Sequence, residues 1–541
     1  MNKLIIYNGT KDVPSVCKSY SYSLGLGRVL DTTFLNNTYK LNELVLKLRD
    51  EYSNFIYDLN KLYVKNGLTF EKLSLYFISD ISNKRTEFFD TFISICHINI
   101  LKQEIEEKAI KEIELVGCTK EFEKSFVSVF SFLKISKKNT VIENKFRYNL
   151  LRQVKFYTRF LFNLIYFKFN FTNTAYFEIK NLFLTGYPKN FYKDFVEKRY
   201  GKLIKKNDVY LVSILSDGMH QGYSFRKNNI SLQELKSFQK KHNILLLDNE
   251  VNFTDLIKSF IYSIYLPYSF RNITNQKFVF KGIDISDFLL QEIKLSVLRI
   301  PRLTLYRNAL KKIFVINKVD NFYYFLHEFC YGKFFSYILN EYSKSTKKIG
   351  FQSGPTSMRK MLFFLSINEV NYSSSDYYKF LPMPDSVLAE DEQSKKVYEA
   401  AHYKNVKIMN EIPRLEYLKY IKRKNIEKDS VLVACGLHDG ELIFEYLKDE
   451  IKKNASKKYY FKLHPRAYNH KIIYKIKESK INNIEISEEH ISNYLSFVEE
   501  VIYTYSSVGI EAYKLGLKVK NISLSNKINE SPLLDYEENI K

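Results

Sequence analysis

Apolar positions follow two different periods along the chain. An opening apolar run, Leu4 to Tyr7, predicts a strand. The segments Leu41–Val64, Phe70–Ile81, Ile100–Ile113 and Val141–Phe167 then carry apolar residues near a 3.6-residue period, which predicts a mostly helical stretch from about residue 10 to about 170. From Ala175 short β-rich runs take over: Phe177 to Ile179, Val209–Leu215 and Ile244–Leu247, separated by polar loops and by the helical Ser231–His242. Strand–helix alternation of this kind predicts a parallel α/β sheet. Between Asp284 and Leu339 the pattern is helical again, with Asp320-Asn321 a start signal for a helix over Phe322–Tyr342. Lys347–Phe351 is a short strand entering a Gly-Pro loop.

The C-terminal part has the clearest pattern. Val431–Cys435 predicts a buried strand, Gly436–Gly440 a loop and Glu441–Lys453 a helix. The runs Tyr459–Leu463, Val501–Thr504 and Val519–Leu524 repeat the strand pattern, accompanied by helices over Lys471–Ser479, Ser492–Glu499 and Ile510–Leu515. A doubly wound α/β domain follows, and such domains bind ligands at the carboxyl ends of their strands. The Ser-, Asp- and Pro-rich stretch Ser373–Pro384 looks like a boundary region, and the division is drawn at 345/346.

Length agrees with two units, since 541 residues exceed what one hydrophobic core usually supports. Gly 17 and Pro 10 are too few for a turn-rich all-β or collagen-like chain. The balance of 83 Lys+Arg against 60 Asp+Glu leaves +23, which attracts phosphates of nucleic acid, of an anionic leaflet or of a phosphorylated ligand. The five cysteines, Cys17, Cys96, Cys118, Cys330 and Cys435, are scattered and odd in number, so neither a disulfide framework nor a structural zinc site is expected. A reducing cytosol fits, and the start of the chain lacks the apolar core of a signal peptide. The greasiest stretches, Phe156–Phe171 and Phe253–Phe270, are interrupted by Arg159, Asn163 and Lys168 and by Asp255, Lys258 and Pro267, so no spanning helix is expected. Phe156–Phe171 reads either as a core helix or as a helix in a bilayer interface.

Two local constellations could carry chemistry. Lys462-Leu463-His464-Pro465-Arg466 closes a strand and puts His464 and Arg466 at its carboxyl edge, where an anion can be held by charge-assisted hydrogen bonds. Tyr505-Ser506-Ser507-Val508-Gly509 leads from the next strand into a helix with Glu511 one turn on, a set able to meet a phosphate and a ribose hydroxyl. Both fall at the same edge of one sheet. Candidate carboxylates for acid–base work are Asp217, Asp248 and Glu250 at strand ends. Asp217 leads because Gly218 and His220 beside it suggest a tight loop.

The series Gly350-Phe351-Gln352-Ser353-Gly354, Ile412 to Leu418, Lys462 to Arg466 and Ser506 to Gly516 resembles bacterial surface-carbohydrate glycosyltransferases of the GT-B type. Within these it is most similar to the His-Pro enzymes of capsule and O-antigen synthesis, including Kdo-transferases and bacterial sialyl- and polysialyltransferases. The resemblance covers about Tyr323 to the C-terminus. It implies two facing Rossmann-like domains with helical insertions in the N-terminal half: 1–345 on the acceptor side and 346–541 binding a nucleotide-sugar. His464, Ser506 and Ser507 match the family's contacts to a CMP-activated donor, with Lys462, Arg466 and Glu511 added from their local setting. Glu328 stands where the family often has an acid and joins Asp217 and Glu250 as a catalytic candidate.

The chain departs from the pattern in two places. Only Ser216-Asp217-Gly218 and His438-Asp439-Gly440 approach the sialyltransferases' acidic-acidic-Gly motif, and Gln352-Ser353-Gly354 stands where related proteins commonly have Gln-His-Ser. The resemblance therefore implies transfer from a nucleotide donor, CMP-linked Kdo or another CMP-nonulosonic acid first, to a glycan or lipid-linked glycan, without metal or other cofactor. A cytoplasmic place is expected, peripheral on the inner membrane through contact with anionic lipid. The alternatives are a polyol-phosphate transferase of the teichoic-acid kind, or a non-catalytic carbohydrate- or nucleic-acid-binding protein on the same shell. No specific nucleic acid is expected, because zinc spacing, RNP motif and basic heptads are all missing.

Overall fold

A computed structural model describes residues 2–9, 12–15, 18–25, 27–86, 88–142, 150–173, 176, 178–188, 190–192, 194–214, 225–326, 330–352, 354–371, 381–423, 425–437, 439–464, 470–487 and 489–536. Among them three large sheets stand out, each parallel throughout and each starting from the strand order 3-2-1-4-5.

The first sheet opens with β1 (Lys3–Tyr7), β2 (Tyr20–Ser23) and β3 (Thr33–Phe34). Helices α1 (Thr38–Lys65) and α2 (Thr91–Glu107) follow, then β4 (Glu112–Val116), α3 (Lys120–Phe130) and β5 (Lys134–Lys138). Its order is β3-β2-β1-β4-β5. This is a correction to the expected helical elaboration, which holds a complete parallel sheet. Helix Ile100–Ile113 is really the end of α2 plus β4, and the alternation Glu-Ile-Glu-Leu of β4 was too short to stand out. Phe70–Ile81 is not a helix either. It is a short antiparallel hairpin, Thr69–Phe70 with Leu73–Ser74, followed by buried turns with Tyr76, Phe77 and Ile78 at 0% exposure, whose backbone is held by Ser79 Oγ donating to the Tyr76 carbonyl (2.6 Å) and by Ser296 Oγ accepting from the Asp80 amide (2.8 Å).

The second sheet follows helix α4 (Leu150–Asn170). Strands β6 (Glu178–Gly186) and β7 (Val209–Ser213) lead to α5 (Phe225–Lys241), β8 (Ile244–Leu246) and α6 (Phe253–Ser269). Helices α7 (Ser286–Thr304) and α8 (Arg307–Ile316) precede β9 (Lys318–Phe325), α9 (Cys330–Tyr342) and β10 (Lys347–Phe351). Strand β11 (Ser386–Ala389), α10 (Glu392–Ala400) and β12 (Val406–Ile408) complete the order β8-β7-β6-β9-β10-β11-β12. Phe322 thus lies in a central strand rather than at the start of a helix. Its neighbours are apolar on both faces, and a strand buried on both faces loses the alternation that marks a strand in sequence. The division at 345/346 falls inside this sheet, because β10 hydrogen-bonds to β9 with Tyr323 opposite Ile349.

The third sheet comprises β13 (Ser430–Ala434), α11 (Gly440–Lys453), β14 (Lys458–Lys462), α12 (His470–Glu478) and β15 (Ile484–Ser487), then β16 (Glu500–Tyr503), α13 (Val508–Lys514) and β17 (Lys518–Asn521). Its order is β15-β14-β13-β16-β17. Alternate residues feed two cores: Val431, Val433 and Phe461 pack with Ile443 and Leu447 on one face, while Leu432, Tyr460 and Val501 pack with Ile510 and Leu517 on the other. Apolar side chains on both faces, covered by helices, are what a doubly wound sheet requires. The second and third sheets are the two Rossmann-like domains of the expected α/β fold, and the first sheet is an addition to them.

The end of the chain returns to the first sheet. Asn526, fully buried, accepts from the Asn37 amide (2.8 Å) and donates to the carbonyls of Leu35 (3.1 Å) and Ser23 (3.3 Å), while its own amide donates to Thr38 Oγ1 (2.8 Å). Asn526→Ala leaves these buried groups unsatisfied, and a loss of about 2–4 kcal/mol in unfolding free energy is expected from urea titration. An unchanged midpoint would mean that the tail is not part of the cooperative unit.

Candidate functional site

The carboxyl edge of the third sheet collects the strongest sequence candidates. Ala434 of β13 lies opposite both Lys462 of β14 and Tyr503 of β16. Two residues beyond these strand ends come Gly436, His464 and Tyr505. A side chain at Gly436 is excluded, since a Cβ there would lie 2.7 Å from the Tyr505 ring. His464 is half-buried. Lys462 turns aside, donating to the Glu489 carbonyl. Arg466 lies outside the described residues, as do Asp217 and Glu328.

Ser506 and Ser507 begin the seven-residue α13. Ser507 Oγ donates to Glu511 Oε1 (3.1 Å), and Ser506 Oγ lies 3.5 Å from the Val508 amide. Glu511 is itself buried and receives Tyr417 Oη at 2.6 Å as well as the Arg414 guanidinium at 3.5 Å. Protein groups thus surround the carboxylate that the sequence suggested for a ribose hydroxyl.

Arg414 reaches in the other direction to the second sheet. Its Nε donates to Glu390 Oε1 at 2.6 Å and its Nη2 to Oε2, a bidentate pair. Glu390 follows β11, is 4% exposed, and its amide donates to Gln352 Oε1 (2.8 Å) after β10. Gln352 Nε2 donates in turn to the Gly354 carbonyl (2.8 Å) and to Ser394 Oγ (3.2 Å). Burial pushes the Glu390 carboxyl up, against the pull of Arg414. The segment Pro413–Tyr420, a 3-10 turn, therefore joins the carboxyl ends of the two sheets. It also touches the loop after β6, where Lys202 pairs with Glu416 and Gly201 packs on Pro413. Asp391 adds a second tie, accepting from Tyr536 Oη (2.6 Å) and pairing with Lys514 (3.3 Å).

The sequence quoted Arg414 and Tyr417 without assigning them a role, and it missed Glu390; only the acidic run Glu390-Asp391-Glu392 was there to find. It also missed Glu197 in the loop after β6. This carboxyl is 2% exposed and pushed up to about 7 by burial, opposed by the amides of Tyr200 (2.6 Å) and Arg199 (2.7 Å) and by the Thr185 hydroxyl (3.0 Å). With all three donors belonging to its own loop and strand, Glu197 braces that loop.

The remaining strand-end carboxylates are also engaged. Glu250 accepts from Asn173 Nδ2 (2.6 Å) and pairs with Lys312 (2.5 Å). Asp248, 1% exposed, accepts from the Ile214 amide (2.8 Å) and from Tyr306 Oη (2.9 Å). Asp439, 2% exposed, accepts from the Gly436 amide (2.6 Å) and from the Thr504 hydroxyl, so it ties the loop after β13 to the end of β16. Among the described residues no group of three or more His, Cys, Asp or Glu side chains could hold a metal ion.

A cavity of about 550 Å³ opens elsewhere, between the strand-end loops of the first sheet (Asp12, Ser23, Arg28) and helices α11 and α12. Its Lys448 pairs with Glu445 and its Lys475 with Glu441 and Glu445. Its size alone does not make it the functional site, and the convergent strand-end chemistry is in the cleft between the second and third sheets.

No protein-family model matches the chain, and no curated protein matches it. Among solved structures it is similar to a UDP-GlcNAc 2-epimerase from Neisseria meningitidis bound to UDP-GlcNAc, at 11% identity and a TM-score of 0.30 over 63% of this chain and 81% of that one. It is also similar to the wall teichoic acid polymerase TagF, at 11% identity and a TM-score of 0.26 over 68% of this chain and 78% of that one. At this level the likenesses carry no argument, and the fold rests on the strand orders given above.

Asp439 supplies a pH test. Burial raises its folded-state pKa to about 6, above the unfolded value of about 3.9, so its contribution to stability is fully present below about pH 4 and lost as pH rises through 6. Asp439→Asn removes this dependence. The unfolding free energy of the variant relative to the natural chain should rise by up to about 3 kcal/mol between pH 4 and pH 7 in paired urea titrations. A flat difference would show that folding does not shift the carboxyl's pKa, and a difference that falls with pH would show that the ionised form is the stabilised one.

Proposed function

We propose that the chain is a glycosyltransferase that moves a sugar from a nucleotide donor, CMP-Kdo or another CMP-nonulosonic acid, onto a bacterial surface glycan. The single observation that supports this most is that β14 and β16 pair with β13 so that their carboxyl ends, Lys462 and Tyr503, both lie opposite Ala434, and His464 and Ser506–Ser507 follow those two ends within four residues. The Arg414 bridge brings the second sheet's strand ends to the same place, so donor and acceptor would meet across it.

In the proposed reaction an acceptor hydroxyl attacks the anomeric carbon, the bond from that carbon to the donor phosphate breaks, and the electron pair leaves on the CMP phosphate. His464 and Arg466 stabilise the developing charge with Ser506. A carboxylate, Asp217, Glu250 or Glu328, takes the hydroxyl proton. Glu511 and Ser507 position the pocket through Arg414 and Tyr417. The acceptor is a glycan or lipid-linked glycan, and the reaction is placed at the inner face of the cell membrane.

The test is thermal protection by CMP, CDP, UDP and GDP, followed by turnover of nucleotide-sugars. CMP should raise the melting temperature while UDP and GDP do not. Protection by UDP alone would move the reading to a hexosyltransferase, and by CDP alone to a polyol-phosphate transferase. His464→Ala should lower turnover by tens to thousands of fold, about 2–4 kcal/mol of transition-state stabilisation, with little change in melting temperature. A melting point several degrees lower with activity per folded molecule intact would reject the donor-site role of His464.

A further inference from the structure

Helices α4 and α6 lie side by side: Tyr157 meets Phe260 edge-on with ring centroids 5.3 Å apart, and its hydroxyl donates to the Ser259 carbonyl (3.0 Å). Each helix has an inner face in the core, with Phe160 and Leu164 on α4 and Leu256 and Leu266 on α6. The outer faces are apolar as well. Leu151, Phe162, Ile165 and Phe169 are exposed on α4, Phe169 to 84%. Ile257, Ile261, Tyr265 and Tyr268 are exposed at helical spacing on α6. Scattered exposed apolar residues need no explanation, but a contiguous face built from two neighbouring helices marks an interaction surface.

The charges on this surface have one sign. Helix α4 contains no acidic residue, and the single one of α6, Asp255, is buried and receives Asn308 Nδ2 at 2.7 Å. Arg152, Lys155, Lys168 and Lys258 are exposed among the apolar residues. An apolar face ringed by cations, with no exposed carboxylate on either helix, complements an anionic bilayer surface, where side chains enter the acyl boundary and cations meet headgroup phosphates. A second copy of the chain fits poorly, because its identical basic face would bring like charges together. No helix among the described residues is long and apolar enough to cross a membrane, so the face lies on a bilayer rather than through it.

We propose that the joint outer face of α4 and α6 docks the protein on anionic lipid. The docking deepens the membrane placement of the proposed reaction but is carried by this face alone. The end of α4 nearest the second sheet donates from Lys168 to the Asn249 carbonyl (2.5 Å), between Asp248 and Glu250, so the bilayer lies beside that sheet's strand ends.

The experiment is flotation of the full chain with phosphatidylcholine vesicles, with and without phosphatidylglycerol. The natural chain should float with the anionic vesicles and at least about tenfold less with neutral ones. The combined variant Leu151→Ser, Phe162→Ser, Ile257→Ser and Tyr265→Ser should lose at least about tenfold in binding, and Lys155→Glu with Lys258→Glu a similar amount that shrinks at high salt. Both variants should keep the natural melting temperature and any nucleotide protection, because the altered side chains are exposed. Absence of flotation by the natural chain, or equal flotation by the apolar variant, overturns the proposal. So does a concentration-dependent dimer that the apolar variant abolishes without vesicle binding. Failure of every nucleotide to protect the chain, with flotation intact, would remove the glycosyl-transfer reading and leave the docking standing.

Discussion

The buried bridge from Glu390 through Arg414 to Glu511 is the interaction on which the relation of the second and third sheets depends. Two buried carboxylates flanking a half-buried guanidinium are costly to desolvate, and that cost is offset only if the hydrogen bonds between them have good geometry. Here the bidentate contact with Glu390 does so, and Tyr417 and Ser507 complete Glu511. Replacing one partner would leave an uncompensated charge, whereas replacing the whole set by apolar side chains need not destabilise. The bridge is therefore better understood as fixing which strand ends face each other than as a large net source of stability.

The three sheets show how far pattern carries. Four of the five strands of the third sheet were legible, β13, β14 and β16 because each is a short apolar run followed by a polar loop and a helix, whereas β15, which reads Ile-Glu-Ile-Ser, was not. The first sheet was not, because β5 reads Lys-Ile-Ser-Lys-Lys and is an exposed edge strand, and β4 is five residues long. In β9 the run Phe-Tyr-Tyr-Phe fits a helix or a buried strand equally, and the choice is made by its parallel partners β6 and β10, which are remote in sequence. The boundary failed for the same reason: β10–β12 look like the start of a new unit locally, yet their hydrogen bonds go backward to β9.

The candidate site was legible where one strand end supplied the chemistry and illegible where two units did. His464 with Ser506 and Ser507 could be placed on one edge from strand positions alone. Glu390 could not, because nothing near it in sequence distinguishes it from a solvated acid; its role comes from a partner 24 residues on, after β12. The strand-end carboxylates teach the opposite lesson. Asp248 and Asp439 sit where a catalytic base would be sought, but each receives a backbone amide and a hydroxyl, so a perturbed carboxyl at a strand end can be a brace.

The ties between units differ in kind, and this bears on how the cleft can open. The carboxylates of the Arg414 bridge are buried, so breaking it leaves Glu390 and Glu511 without their half-buried counter-charge. Lys202–Glu416 and Lys514–Asp391 have partly exposed partners, are screened by salt, and exchange for water at little cost. A hinge motion that separates the strand ends while keeping Arg414 on Glu390 would break its 3.5 Å contact with Glu511, the hydrogen bonds of Tyr417 to Glu511 and of Tyr536 to Asp391, and the solvent-facing pairs. The tail hydrogen bonds of Asn526 to the first sheet oppose larger swings, because the third sheet is anchored there by the segment that follows β17. The architecture thus permits a small opening about Pro413–Tyr420 more readily than a full separation of the units.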